Sequence, residues 1–302
     1  MRAGCTTRVW AVAAWALPPF ASIAPVALCE AGSPVAVREI VLSTPDGEAR
    51  GYAAVVDLRD PAVEIVVTAP LADRSDEALL TPTDSWARAQ GVVVAVNANF
   101  FAKGTAAANG DVGADILGLS VSDGRVVSPA RSYGGAADPA LIVRDDGGAV
   151  VARSASTEGV RDAVAGIGAS ASDSLPGTLL VTDGANTGAT ARVEPLARHP
   201  RTAAGVSADG RTLYLVAIDG RQAGWSVGLT LPELADVLIG LGADDAVNLD
   251  GGGSTAFVHQ PADGDRIINK PSDGRFRPVA NHLGVRIRAA SEAAGTASEA
   301  AQ

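Results

Sequence analysis

An α+β domain of mixed, largely antiparallel sheets flanked by a few helices is what this 302-residue sequence predicts, and three observations carry that prediction. Runs rich in valine and isoleucine, each of strand length, recur between residues 35 and 288. Several are joined by Asp-Gly or Gly-Gly turns of the kind that close antiparallel hairpins, and only two segments carry helix-start signals. No internal repeat and no convincing second domain interrupts the pattern, so one domain over residues 32–289 is expected.

The chain opens with the layout of an export signal. Met1-Arg2 and Arg8 precede an apolar run over residues 9–17, and small residues lead to Ala27-Leu28-Cys29-Glu30-Ala31, which predicts a signal peptide over 1–31 cut after Ala31. The run is shorter than the roughly 20 apolar residues of a permanent span, and Pro18-Pro19 breaks it, so no stable membrane insertion is expected. Leu28 is bulky where a lipoprotein box wants a small residue, which argues against a lipid on Cys29. Export to the periplasm or the extracellular space follows. Cleavage would remove Cys5 and Cys29 together, and with them all disulfide and thiolate chemistry. A formal net charge of −10 argues against nucleic acid as a partner. It also requires that any phosphate site be a local positive feature on an acidic protein.

The elements then follow in order. Strands are expected over 35–42, 52–58 and 63–68, and a short helix after Thr81-Pro82-Thr83-Asp84, with Thr81 as the cap and Gly91 as the stop. Residues 92–96 form an apolar run suited to a strand covered on both faces, and it ends in Asn97-Ala98-Asn99-Phe100-Phe101. The small, glycine-rich stretch 102–115 reads as a long loop. Hairpins are expected around Asp123-Gly124, Asp146-Gly147-Gly148 and Asp209-Gly210, with a segment of no clean period over 160–176 and a strand over 178–182. Thr230-Leu231-Pro232-Glu233 is a capping box, and Leu231, Leu234, Ala235, Leu238 and Ile239 give the following helix one apolar stripe before Gly242. A buried strand over 246–249, a last strand over 279–288 and a disordered tail over 290–302 complete the prediction.

Chemistry is expected where polar residues follow apolar strands. Successive glycines at Gly251, Gly252 and Gly253, beside the hydroxyls of Ser254 and Thr255, have the makings of an amide-lined anion cradle. Ala256 stands where the second glycine of a serine-hydrolase elbow would fall, which disfavours that class. His199 and Arg201, two apart on an extended segment, would project from one face toward a phosphate. Asp219 and Asp250 each end a strand, where sheets commonly place ligands. Asn97, Asn248 and Asp250 could share a divalent cation, although the chemistry requires no cofactor.

His199-Pro200-Arg201-Thr202-Ala203, Asp219-Gly220-Arg221, Asn248-Leu249-Asp250-Gly251-Gly252-Gly253-Ser254-Thr255 and Arg277-Pro278-Val279-Ala280-Asn281 resemble, in this order, the signatures of the phosphodiester glycosidase family. Asn97-Ala98-Asn99-Phe100-Phe101 is similar to that family's Asn-Gly-Gly-Phe-Phe element, with Ala98 and Asn99 where glycines are usual. The resemblance covers residues 92–288 and implies hydrolysis of the bond between a sugar's anomeric carbon and a phosphodiester oxygen. On that reading Asp250 is the principal catalytic carboxylate, Asp219 its partner and His199 a proton donor or phosphate ligand. Arg201, His199 and the 251–255 loop would bind the substrate's phosphate, Thr202 and Asn248 would contact the substrate, and Asn97, Asn99 and Asn281 would orient sugar hydroxyls. Two competitors stand beside it: a non-catalytic glycan-binding module of the cell envelope, and a metal-dependent phosphodiesterase cutting the phosphorus–oxygen bond.

Overall fold

The computed structural model describes residues 33–72, 76–106, 110–133, 136–167, 177–262 and 265–288. The expected leader with Cys5 and Cys29, the expected tail and much of the 160–176 segment lie outside the described residues.

The architecture is mostly β, with two α-helices among the described residues, Thr83–Gln90 and Leu231–Leu241. The largest sheet runs Val35–Thr44, Gly47–Asp57, Thr212–Ile218, Arg201–Val206, Asp245–Asn248, Leu179–Thr182, Ala185–Asn186 in spatial order. A second sheet runs Ile267–Ile268, Phe257–His259, Val94–Asn97, His282–Ile287, Val63–Val67, and a third Arg125–Ser128, Ser120–Ser122, Val160–Ala165, Pro139–Arg144, Ala149–Arg153. All strand pairs among the described residues are antiparallel, which corrects the expected mixture and shifts the class from α+β toward β. Two helices are too few to supply the crossovers that parallel pairing needs.

Side-chain alternation explains why the large sheet is apolar on both sides. Along Thr212–Ile218, Leu213, Leu215 and Ala217 face one way and Tyr214, Val216 and Ile218 the other. The first face meets Val94, Val96, Leu283 and Val285 of the second sheet and Leu141, Val143 and Val164 of the third, forming the main core. The other face is covered by Leu231, Leu234, Ala235, Val237 and Leu238 of the long helix. The short helix covers the far side of the second sheet, where Trp86 stacks on the His282 ring at 4.8 Å.

Local signals account for most boundaries. At the Asp123-Gly124 turn both residues have positive φ, 49° and 70°, as a two-residue hairpin turn requires. The Thr230–Glu233 capping box is present in both directions, and Gly242 closes the helix at φ 111°. Two expectations fail. Pro82 rather than Thr81 stands at the N-cap of the short helix, with no side-chain cap, and the Thr81 hydroxyl instead donates to the Leu79 carbonyl. The supposed loop over 102–115 contains the strand pair Phe101–Ala106 and Val112–Ile116, whose register is set by tertiary neighbours rather than by its own small residues. Thr230→Ala should lower stability by about 1 kcal/mol, the usual value of an N-cap, read as a shifted urea midpoint at constant slope.

Candidate active site

The predicted residues converge where strands of two sheets end together. In the large sheet Arg201 pairs with Ile218 and Ala203 with Asn248, so Asp219 and the 249–255 segment leave the same edge. In the second sheet Asn97 pairs with His282. Asp250 is held between the two: its amide donates to the Ala98 carbonyl at 2.9 Å, its carbonyl accepts from Asn97 Nδ2 at 2.6 Å, and the Leu249 amide donates to the Thr202 carbonyl at 2.8 Å.

The asparagines do different work from that expected. Asn97 is fully buried, and its Oδ1 accepts from the Thr202 hydroxyl at 2.7 Å and the Ala256 amide at 3.0 Å, which leaves no lone pair for a sugar hydroxyl or a cation. Asn99 donates to the Leu117 and Leu119 carbonyls and accepts from the Ala165 amide and from Asn281 Nδ2. Asn281 also donates to Ser120 Oγ and accepts from the His282 amide. Both side chains are buried scaffolding, tying the third sheet to the second. Asn99 makes bonds that a glycine could not, which gives this departure from the family element a structural reason. Asn248 is different: Nδ2 donates to the Leu249 carbonyl, while Oδ1 has no partner among the described residues, and the same holds for Thr255 Oγ1.

Asp250 is half-buried, and burial pushes its carboxyl up to about 6, against the Ser254 hydroxyl, the Arg277 charge and the Gly251 amide, which favour the ionised form. Two of the three glycine amides are already taken and do not line a cradle. The Gly251 amide serves Asp250's own carboxylate, and the Gly252 amide donates to the Pro200 carbonyl at 2.9 Å. Their bareness admits cations instead. A Cβ on Gly252, whose φ is 61°, would lie 3.1 Å from Arg221 Nη1, and one on Gly253 would collide with the Arg277 guanidinium. Arg277 is also paired with Asp273 at 2.8 Å.

His199 adjoins this loop through Arg221, whose Nε donates to His199 Nδ1 at 3.2 Å, while His199 Nε2 lies 2.8 Å from Glu194 Oε2. An arginine N–H can only donate, so Nδ1 is the unprotonated ring nitrogen and the imidazole is neutral with its proton on Nε2. Burial, then the charges of Arg201 and Arg221, lower its pKa in agreement. Nδ1 is thus engaged by Arg221, while Nε2 lies close to the Glu194 carboxylate without the alignment of a hydrogen bond.

One expected phosphate ligand, Arg201, and one expected catalytic carboxylate, Asp219, are turned inward. Arg201 is 2% exposed, and its guanidinium donates to the carbonyls of Leu229, Val193, Glu194 and Ala197, so it holds a loop rather than a phosphate. Burial lowers it to about 10, which leaves it cationic at neutral pH. The Asp219 carboxylate accepts from Trp225 Nε1, Asn269 Nδ2 and the Lys270 amide, anchoring the loop that carries Arg221. Its pKa is raised by burial against those donors. Arg221 and Arg277 are site cations not expected from the sequence, although each lies inside one of the ordered motifs, Asp219-Gly220-Arg221 and Arg277-Pro278-Val279-Ala280-Asn281. Arg201→Met should destabilise the fold by about 3 kcal/mol or more, since several buried carbonyls lose a charged donor. Denaturation would register this directly, whereas a phosphate ligand would leave the midpoint unmoved and raise only KM.

The chain also resembles known proteins. The family model described as phosphodiester glycosidase matches residues 90–286. Among solved structures, the catalytic domain of zebrafish N-acetylglucosamine-1-phosphodiester alpha-N-acetylglucosaminidase, auto-inhibited by its pro-peptide, superposes with a TM-score of 0.62 at 21% identity, over 89% of this chain and 87% of that one. A hypothetical protein from Synechocystis superposes at 0.53 with 19% identity, over 84% of this chain and 62% of that one. At such identities the likeness is one of fold. No curated protein sequence is significantly similar. With the family model spanning well over half of its length, the chain belongs to the phosphodiester glycosidase family.

Proposed function

We propose that the protein is an exported hydrolase that cleaves the bond between a sugar's anomeric carbon and a phosphodiester oxygen. The observation that carries this reading is the Asp250 carboxylate, raised to about 6 by burial, beside a glycine loop bare enough for two guanidinium groups, Arg221 and Arg277, to lie against it. The N-terminal leader pattern supports export. Among the described residues no helix is long and apolar enough to cross a membrane.

In the proposed reaction Arg221 and Arg277 bind the phosphoryl oxygens, and Asp250 attacks the anomeric carbon or activates the water that does. A departing phosphate monoester has a second pKa of about 6, far below that of a sugar hydroxyl. Charge neutralisation by the arginines therefore replaces much of the general acid that ordinary glycosides require. This suits a site in which neither Asp219 nor His199 presents a free acidic proton. Asn248 Oδ1 and Thr255 Oγ1 flank Asp250 without a hydrogen-bond partner among the described residues, but both atoms are enclosed, so neither is assigned a substrate contact. No cofactor is required by this scheme.

Asp250→Asn should reduce kcat on an aryl sugar-1-phosphodiester by about 10³-fold, within the range for a lost catalytic carboxylate, with the fold intact; a retained rate would remove Asp250 from the role. Hydrolysis in ¹⁸O-water should label the sugar, and label in the phosphate would instead establish phosphorus–oxygen cleavage. The pH dependence has a definite sign. Since the carboxylate must be ionised to act, kcat/KM should rise through about pH 6. Folding favours the protonated form, so Asp250 makes the native state less stable as pH rises from 3.8 to about 6. Asp250→Asn should accordingly be the more stable protein at pH 7, as urea titration at both ends of that window would show.

A further inference from the structure

Left-handed backbone at non-glycine residues is confined, among the described residues, to Asp123, Asp183, Val193, Glu194 and Arg221. The first two precede glycines of positive φ, Gly124 and Gly184, in Asp-Gly turns, where the conformation is ordinary. The other three surround His199. Val193 at φ 72° is branched at Cβ, so this conformation is disfavoured for it, and Glu194 follows at 51°. Nothing in the local sequence asks for such a turn. It is imposed by the buried Arg201 guanidinium, which takes the Val193, Glu194 and Ala197 carbonyls, and by the Leu231 amide, which takes that of Pro195. Strain that the surroundings over-determine points toward function. What this strain achieves is visible: it sets Glu194 Oε2 2.8 Å from His199 Nε2, although the Glu194 side chain is otherwise 70% exposed.

We infer that Glu194 is a positioning residue of the site, acting through His199 on Arg221. The carboxylate stands against Nε2, where its charge favours keeping the proton on that nitrogen and so leaves the Nδ1 lone pair toward Arg221 Nε, and the ring then holds the guanidinium against Gly252. Arg221 is itself exposed and sits at φ 59°, so without this support it has neither burial nor a relaxed backbone to hold it at the loop. The relay gives a use to a histidine whose Nδ1 is already taken by Arg221. It also gives the buried Arg201 a purpose in the site at one remove. Only the final step, phosphate binding by Arg221, rests on the proposed function.

The chain has three histidines, so the His199 ring can be assigned in long-range ¹H–¹⁵N spectra of the whole protein by comparison with His199→Asn. The expected wild-type ring is the neutral Nε2–H tautomer. Glu194→Ala and Glu194→Gly should lose that single tautomer and weaken inorganic phosphate binding about tenfold, while Glu194→Gln, which can still accept the proton, should keep most of both. Glu194→Gly relieves the left-handed backbone, so its impairment would come from the missing carboxylate and not from altered strain. In Arg221→Ala, which should be at least as weak, adding Glu194→Ala should cost nothing further, and KM for an aryl sugar phosphodiester should follow the same pattern with kcat less affected. An unchanged tautomer in Glu194→Ala, or losses that add in the double variant, would overturn the relay. Absence of turnover on every sugar phosphodiester would sink the proposed reaction instead, leaving the tautomer to decide the role of Glu194.

Discussion

The Asn97 carboxamide is the interaction on which the site depends. It lies at the end of a second-sheet strand, takes protons from Thr202 of the large sheet and from the Ala256 amide, and gives one to the Asp250 carbonyl. One buried side chain thus sets the distance between two sheets and the direction in which the 249–256 segment leaves. Burying an amide without partners costs roughly 1–3 kcal/mol per lost hydrogen bond, so the arrangement is all-or-none: if either sheet shifted, a polar group would be stranded in the core. Asn99 and Asn281 repeat the device on the side of the third sheet. Apolar packing alone would leave the three sheets free to slide over one another, and these amides specify one arrangement.

An acidic protein needs a concentrated source of positive charge to hold a phosphate. Backbone amides cannot supply it where their hydrogens already serve Asp250 and Pro200. Two guanidinium groups can, and each offers a planar fork suited to phosphoryl oxygens. Glycines 252 and 253 contribute by what they lack, since a side chain on either would displace an arginine. Burial drives the Asp250 carboxyl up, and the Ser254 hydroxyl, the Arg277 charge and the Gly251 amide limit the rise. A carboxylate near 6 is still largely ionised at neutral pH, yet basic enough to be a useful nucleophile or base.

Stability and chemistry divide the charged residues between them. The arginine with the most buried guanidinium, Arg201, serves the fold, and the exposed Arg221 lies against the glycine loop, where phosphate binding is proposed. Asp219, wrapped by donors, is an anchor, and Asp250, with fewer, is the carboxylate proposed to react. Burial without open hydrogen-bonding capacity marks structure; partial burial beside an unfilled acceptor marks a site.

Much of this was legible in the amino-acid sequence. Strand alternation, Asp-Gly turns and the Thr230 capping box depend on neighbours within a few residues, so the hairpins, the long helix and the strand ends bearing Asn97, Asn248 and Asp250 could be read directly. The ordered motifs likewise pointed to the family. What only tertiary structure decided is which way each polar group faces. Whether an arginine two residues from a histidine binds substrate or braces a loop depends on carbonyls from residues 193, 194, 197 and 229, and no local spacing encodes that convergence. The partner of His199 was equally hidden, because Glu194 reaches it through a backbone conformation that its own sequence disfavours. Hydrogen-bonding capacity is a property of the residue, whereas its satisfaction is a property of the packed whole.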